Sequence, residues 1–375
     1  MKDLPNNSKI RVMIVDDSLV VRSVLKRIIT KDDNIEIVGL YHSAESLLRA
    51  MDNIVADVLL LDIEMPGMNG IEAIPHILNK DSNIKIFMVS TLTTKNAPIA
   101  IKALTLGAVD YIEKPDSNTM TNGNAFQDNL IAKIKNIAKK TYNSYISPPL
   151  SSIDQCNNHL SSALTYRLLS SDIVLRTDRP INFEPKILAI ASSTGGPKAI
   201  SDLLVSFGAN YLANKIIIIT QHMPVLFTKL FAENLDKLGI IKCKEAQDGE
   251  ILTEGNLYIA PGNIHMKITL KARKACITLD NGPAINFCKP SADPMIESAA
   301  SIFKDKMITI VLTGMGKDAL EGSKAAVMMG SSVIAQDETS SIVWGMPGNV
   351  AVNNLCSAVL PLNEIANFII KNGSK

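Results

Sequence analysis

Short apolar runs recur along this chain at the spacing of a strand followed by a helix, and they narrow its fold more than any other feature. Residues 10–15, 35–40, 57–61, 84–89 and 108–112 alternate with amphipathic stretches, and residues 186–191, 215–219 and 307–312 resume the pattern. A strand that is apolar along nearly its whole length has both faces buried, as in a parallel sheet covered by helices on each side. The expected fold class is therefore α/β, with two doubly wound parallel sheets. In such sheets, sites form beyond the carboxyl ends of the strands. The chemically competent side chains fall there: Asp16, Asp17, Asp62, Ser90 and Lys114 in the first half, Ser193, His222 and Asp318 in the second.

At 375 residues the chain exceeds one typical core and suits two domains of roughly 100–200 residues each. The first is expected over residues 9–140, closing on an amphipathic helix at 124–140, with Gly107 capping the helix before it. Residues 141–184, with Ser147-Pro148-Pro149 and several Ser-Ser pairs, are expected to be a linker, with room for a short helix at 160–169. The second domain is expected over residues 185–372. Within it, turn signals at Glu254-Gly255-Asn256 and Asp280-Asn281-Gly282-Pro283 bracket β-rich segments, which predict hairpins inserted at 243–280.

Lys and Arg total 38 against 37 Asp and Glu, a net charge of +1, so nucleic acid is not an expected partner. Five widely spaced cysteines (Cys156, Cys243, Cys276, Cys288, Cys356) without a CxxC pair fit reduced and mostly inert core thiols. The polar start runs straight into a strand, and no apolar stretch approaches the roughly 20 residues of a membrane span. A cytoplasmic protein without membrane insertion is expected.

Three carboxylates at one sheet edge repel unless a cation sits among them, and a hard ion such as Mg²⁺ also holds phosphoryl oxygens. Asp16, Asp17 and Asp62 therefore suit phosphoryl transfer onto a carboxylate, with Lys114 and Ser90 placed to contact the phosphoryl group. Ile14-Val15-Asp16-Asp17-Ser18, Leu61-Asp62-Ile63-Glu64-Met65-Pro66-Gly67-Met68-Asn69-Gly70 and Lys114-Pro115 resemble the response-regulator receiver domain, a flavodoxin-like fold, over residues 9–140. The resemblance implies Asp62 as phosphoacceptor, Asp16 and Asp17 as acidic Mg²⁺ partners, Ser90 and Tyr111 as the switch pair, and Lys114 as phosphate sensor.

In the second half, Ser193-Thr194-Gly195-Gly196-Pro197 makes a tight strand-to-helix turn, His222 tops a buried strand, and Asp318 follows a third. A serine hydroxyl needs a base, and the base an orienting acid, so the three form a triad if the strand ends converge. The turn is not a GxSxG elbow, and the order Ser, His, Asp differs from the Ser, Asp, His of α/β-hydrolases. On residues alone, Gly-rich turns also bind phosphate, and Asp318 has a competing role as a helix cap. These segments, with Tyr258-Ile259-Ala260-Pro261-Gly262, Lys289-Pro290-Ser291 and Ala335-Gln336-Asp337-Glu338-Thr339-Ser340-Ser341, resemble the catalytic domain of the chemotaxis protein-glutamate methylesterases, the CheB family.

The resemblance implies a Rossmann-like domain in which Ser193 attacks glutamyl methyl esters on methyl-accepting chemoreceptors, with His222 as base and Asp318 as its partner. It also implies deamidation of receptor glutamines, Thr194 and Met315 as candidate oxyanion donors, a chemotaxis histidine kinase as phosphodonor, and no cofactor for ester hydrolysis. Ser192, where the family often has alanine, is a rival nucleophile that strand alternation should turn away. Lys289 replaces a common arginine and loses its planar fork. His42 and His76 are expected to be surface or core residues, and His265 structural or substrate-binding. The different-class alternative is a receiver fused to a non-catalytic receptor- or ligand-binding module. An unperturbed His222 would set an activity limb near pH 6.5.

Overall fold

The computed structural model describes residues 9–90, 97–114, 124–144, 173–177 and 184–373. Two compact units divide between Pro148 and Pro149. The expected helix at 160–169 and Cys156 lie outside the described residues.

In the first unit, strands β1 (Ile10–Val15), β2 (Ile35–Tyr41), β3 (Val58–Asp62), β4 (Lys85–Ser90) and β5 (Asp110–Glu113) form one sheet in the order β2-β1-β3-β4-β5. Every pairing in it is parallel. Central β3 is buried at all its positions, which accounts for its unbroken apolar run. Helices α1 (Leu19–Ile29), α2 (Ala44–Ala50), α3 (Gly70–Lys80), α4 (Ala97–Leu106) and α5 (Asn124–Ser144) connect and cover the strands. Caps written in the sequence fix the starts of α1, α2 and α3. The Ser18 side chain accepts from Val21 N at α1, and Asn69 and Glu72 form a reciprocal capping box at α3. Gly70 is required by close approach, because a Cβ there would lie 2.0 Å from the backbone oxygen of Asp62. That contact seats the start of α3 on the end of β3.

The second unit holds seven parallel strands in the order β14-β13-β12-β6-β7-β9-β8. Their ranges are β6 (Ile187–Ser192), β7 (Ile216–Gln221), β8 (Lys242–Glu245), β9 (Asn256–Ile259), β12 (Met307–Val311), β13 (Ser332–Gln336) and β14 (Ala358–Leu360). The helices are α6 (Gly196–Phe207), α7 (Ala209–Leu212), α8 (Val225–Asp236), α9 (Ala292–Phe303), α10 (Leu320–Met328), α11 (Met346–Val352) and α12 (Leu362–Gly373). The chain leaves β6 toward β7 on one side and returns to β12 on the other. The crevice past the ends of β6 and β12 is therefore a topological switch point.

The segment 243–280 is only partly hairpin. β8 and β9 join the main sheet in parallel, and the antiparallel pair is β10 (His265–Lys271) with β11 (Lys274–Asp280). Its tight turn is Ala272-Arg273, with φ of 49° and 64°. Such left-handed turns usually carry Gly or Asn, so this one leaves no mark in the sequence. Residues 173–177, inside the expected linker, attach to the second unit. Arg176 N donates to Cys356 O at 2.9 Å, and Ile173 and Leu175 pack against its core.

Candidate active site and acidic pocket

The register of β6 and β7 pairs Ser192 with Gln221, so Ser193 and His222 are the next residues on adjacent strands. His222 N donates to Ser192 O at 3.2 Å, tying it to β6, and Ser193 N donates to Thr313 O at 3.1 Å, tying it to the residues just past β12. Gly314 is likewise required by close approach. A Cβ there would lie 2.9 Å from Ser193 Cβ and 3.0 Å from Ser193 N. Only glycine lets the segment carrying Met315 pass over Ser193.

Strand alternation separates the two serines as expected. Ser192 is buried, and its hydroxyl donates to Gln221 Oε1 at 2.6 Å. Gln221 Nε2 in turn donates to the carbonyl oxygens of Ser193 and His222. Ser193 is half-buried and, among the described residues, its hydroxyl has no hydrogen bond. Thr194 is buried in the turn that follows, its carbonyl accepting from Thr313 Oγ1 at 2.9 Å.

His222 and Asp318 are in contact, with Nε2 and Oδ2 2.7 Å apart. Asp318 is fully buried and accepts from Ser291 Oγ at 2.6 Å, Ala292 N at 2.7 Å and Asp293 N at 3.3 Å. It is a helix cap after all, though of α9 and not of α10, the helix that follows it. The orphan N–H groups and positive end of α9 stabilise an ionised carboxylate. Burial works against that charge, but the bonds from His222, Ser291 and Ala292 outweigh it and hold the pKa below the usual value. Neighbouring Asp293 goes the other way, raised by burial and by the charge of Asp318.

Because Asp318 accepts at Nε2, the basic lone pair of His222 lies on Nδ1, which faces Cys288 Sγ at 3.7 Å. Burial pushes the imidazole pKa down, yet Asp318 and Cys288 more than offset it and raise the value to about 9. The limb expected near 6.5 is thus displaced upward. Cys288 is half-buried, unlike Cys243, Cys276 and Cys356, and it is not an inert core thiol. No residue pattern marked it, because its proximity to His222 is a tertiary contact. Ser291 was visible only within the Lys289-Pro290-Ser291 motif, although a serine before an apolar helix is a readable N-cap.

His265 is structural. Its Nδ1 accepts from Ser291 N at 3.0 Å and its Nε2 donates to Pro283 O at 2.9 Å. Lys289 Nζ is engaged by Asn281, at 2.8 Å from Oδ1. His42 and His76 are exposed.

In the first unit, Asp16 and Asp62 are buried and Asp17 is exposed, with carboxylate oxygens of all three within 4.8 Å of one another. Lys114 Nζ lies 2.8 Å from Asp62 Oδ2 and 3.1 Å from Asp16 Oδ2. Neither of those buried oxygens has a hydrogen bond of proper geometry, so this oxygen-only set has free lone pairs and fits a hard divalent ion such as Mg²⁺. Burial raises Asp62 to about 6, Lys114 opposing and Asp16 adding to the shift. Ser90 is buried at the end of β4, its carbonyl accepting from Lys114 N at 2.9 Å. Tyr111, on β5, lies under the Lys133 ammonium, 5.7 Å from the ring centroid.

Family models match both units: CheB methylesterase over residues 188–369 and response regulator receiver domain over residues 12–122. A protein of Rhodopseudomonas palustris (strain HaA2) named protein-glutamate methylesterase/protein-glutamine glutaminase is 39% identical over 366 residues, covering 96% of this chain and 94% of that protein. One of Paramagnetospirillum magneticum, named protein-glutamate methylesterase/protein-glutamine glutaminase 1, is 39% identical over 373 residues, covering 98% and 97%. The crystal structure of the Thermotoga maritima CheB methylesterase catalytic domain is 37% identical, with a TM-score of 0.48, and covers 50% of this chain and 98% of its own. Two nearly full-length relatives at this identity place the chain in the CheB methylesterase family, in its form with an amino-terminal receiver domain.

Proposed function

We propose that this chain hydrolyses glutamyl methyl esters on methyl-accepting chemoreceptors, releasing methanol, and deamidates receptor glutamines. The observation that carries the reading is the bonded His222–Asp318 pair beside Ser193 at the switch point of a parallel sheet. Ser193 Oγ attacks the γ-carbonyl carbon while His222 Nδ1, the nitrogen not held by Asp318, takes the hydroxyl proton. That proton then leaves with methoxide as methanol, or with the amide nitrogen as ammonia. Water, deprotonated by the same ring, attacks the acyl-serine and releases glutamate. Backbone N–H groups at Thr194 and Met315 are the candidate donors to the oxyanion.

The first unit acts as the regulator. Asp62 accepts a phosphoryl group from a chemotaxis histidine kinase, and Asp16, Asp17 and Asp62 would hold Mg²⁺, which supplies charge neutralisation to that transfer. Lys114 then moves its ion pair to the phosphoryl oxygens, and Ser90 and Tyr111 relay the change. Both partners suit a cytoplasmic setting, and no helix among the described residues is long and apolar enough to cross a membrane. The test is methanol release from methylated receptor membranes, with and without an acyl-phosphate donor. Release that needs Ser193 supports the reading, and binding without release overturns it.

A further inference from the structure

The hydrolytic mechanism has no use for Cys288, yet its sulfur faces the one nitrogen that mechanism needs. Cys288 Sγ is 3.7 Å from His222 Nδ1. In tetrahedral zinc sites, with Zn–S about 2.3 Å and Zn–N about 2.0–2.1 Å, sulfur and nitrogen end up about 3.6 Å apart. The observed gap is therefore one that a single ion can span with little movement.

Three further features favour a cation there. Asp318 Oδ2 sits 2.7 Å from Nε2, the carboxylate–histidine arrangement that fixes the tautomer and raises the basicity of a ligating imidazole. Reciprocal backbone bonds between Ile285 and Cys288, 3.1 and 2.8 Å, close a two-residue turn that holds the thiol in place. Cys288 is also the described cysteine that is not buried.

We propose that Cys288 Sγ and His222 Nδ1, with Asp318 behind the ring, form a binding site for Zn²⁺ or another thiophilic divalent cation that reversibly silences the hydrolase. Two protein ligands leave the remaining positions to water. The thiol proton, and the Nδ1 proton wherever the ring is protonated, pass to solvent as the metal–sulfur and metal–nitrogen bonds form, and no oxidant or reductant is involved. The bound ion occupies the Nδ1 lone pair, so the ring cannot accept the serine proton. The acidic pocket of the first unit offers oxygen alone and selects hard ions, whereas sulfur with imidazole selects softer ones. The silencing, though not the binding, rests on the function proposed above.

The experiment uses reduced full-length protein stripped by chelator and titrated with Co²⁺ in excess Mg²⁺, which fills the acidic pocket. Wild type is expected to develop thiolate-to-cobalt charge-transfer absorption that Zn²⁺ bleaches, and Cys288→Ser and Cys288→Ala to lack it. In parallel, Zn²⁺ is expected to slow wild-type hydrolysis by at least about tenfold, reversibly with chelator, while each Cys288 variant stays within about twofold of its own metal-free rate. A cobalt spectrum unchanged by both substitutions, or wild type without a thiolate band, overturns the site. Equal Zn²⁺ inhibition of wild type and variants overturns the silencing. A band lost on Cys288 substitution in a protein that hydrolyses no ester retains the site and overturns the esterase reading instead.

Discussion

Asp318 does two things with one carboxylate: it orients His222 and it caps α9. Four hydrogen-bonding partners converge on it, so removing one weakens the hold without freeing the group. Ser291→Ala is expected to cost about 1–3 kcal/mol of stability in denaturant unfolding, the range for a hydrogen bond to a buried charge. An unchanged unfolding midpoint would mean that the Ser291 contact does not hold Asp318. Ser193→Ala and His222→Ala are each expected to remove about 10⁴–10⁶-fold of the hydrolysis rate, and Asp318→Asn less, since the cap contacts persist in part. The pH dependence follows from the raised His222 pKa of about 9. Only the neutral ring accepts a proton, so kcat/KM is expected to climb with pH through about 9 instead of near 6.5. Stability has the opposite sign: the protonated ring is favoured in the folded state, so its contribution is complete below about 6.5 and is lost as pH rises through about 9. A rate profile already level between about pH 6 and 8 would contradict this. Ser193, His222 and Asp318 were legible as candidates because each follows an apolar run. The roles of Cys288 and Ser291 were not, because both depend on contacts from distant segments.

The five strands of the first unit start and end within about two residues of the apolar runs, the fully buried β3 and the partly exposed edge strand β2 alike. β8 and β9 were misassigned because four-residue strands carry no direction in their pattern, and the β10–β11 turn lacks the Gly or Asn that usually marks one. Side-chain caps mark the starts of α1, α2, α3 and α9, whereas α6, α7, α8, α10 and α11 start without a side-chain cap hydrogen bond, α10 at Ala319 with φ of 74°. Close approach between elements yields a further test. A methyl group on Gly314 would press on Ser193 Cβ and on Met346 Sδ, 2.5 Å away. The thioether can yield, but the Ser193 backbone cannot without moving. Gly314→Ala is expected to fold and to lose at least about 10²-fold of activity, because misplacement of about 1 Å is enough for that loss. Wild-type turnover in this variant would show that the segment over Ser193 is not part of the catalytic geometry.

At the scale of the whole chain, a phosphoacceptor pocket and a hydrolytic site share one polypeptide, and the simplest reason for the fusion is control of one by the other. A phosphoryl group adds roughly −1.5 to −2 charges beside Lys114, which now bridges Asp16 and Asp62. A tenfold activation needs only about 1.4 kcal/mol of difference between two states. Removal of residues 1–140 is accordingly expected to raise activity in part without any phosphoryl donor. The most direct measurement is methanol release from methylated receptor membranes by wild-type, Ser193→Ala and Asp62→Asn proteins, each with and without an acyl-phosphate donor. Wild type is predicted to release methanol, and faster with donor; Asp62→Asn to release it at the basal rate under both conditions; Ser193→Ala to release almost none. Undiminished release by Ser193→Ala would contradict the account.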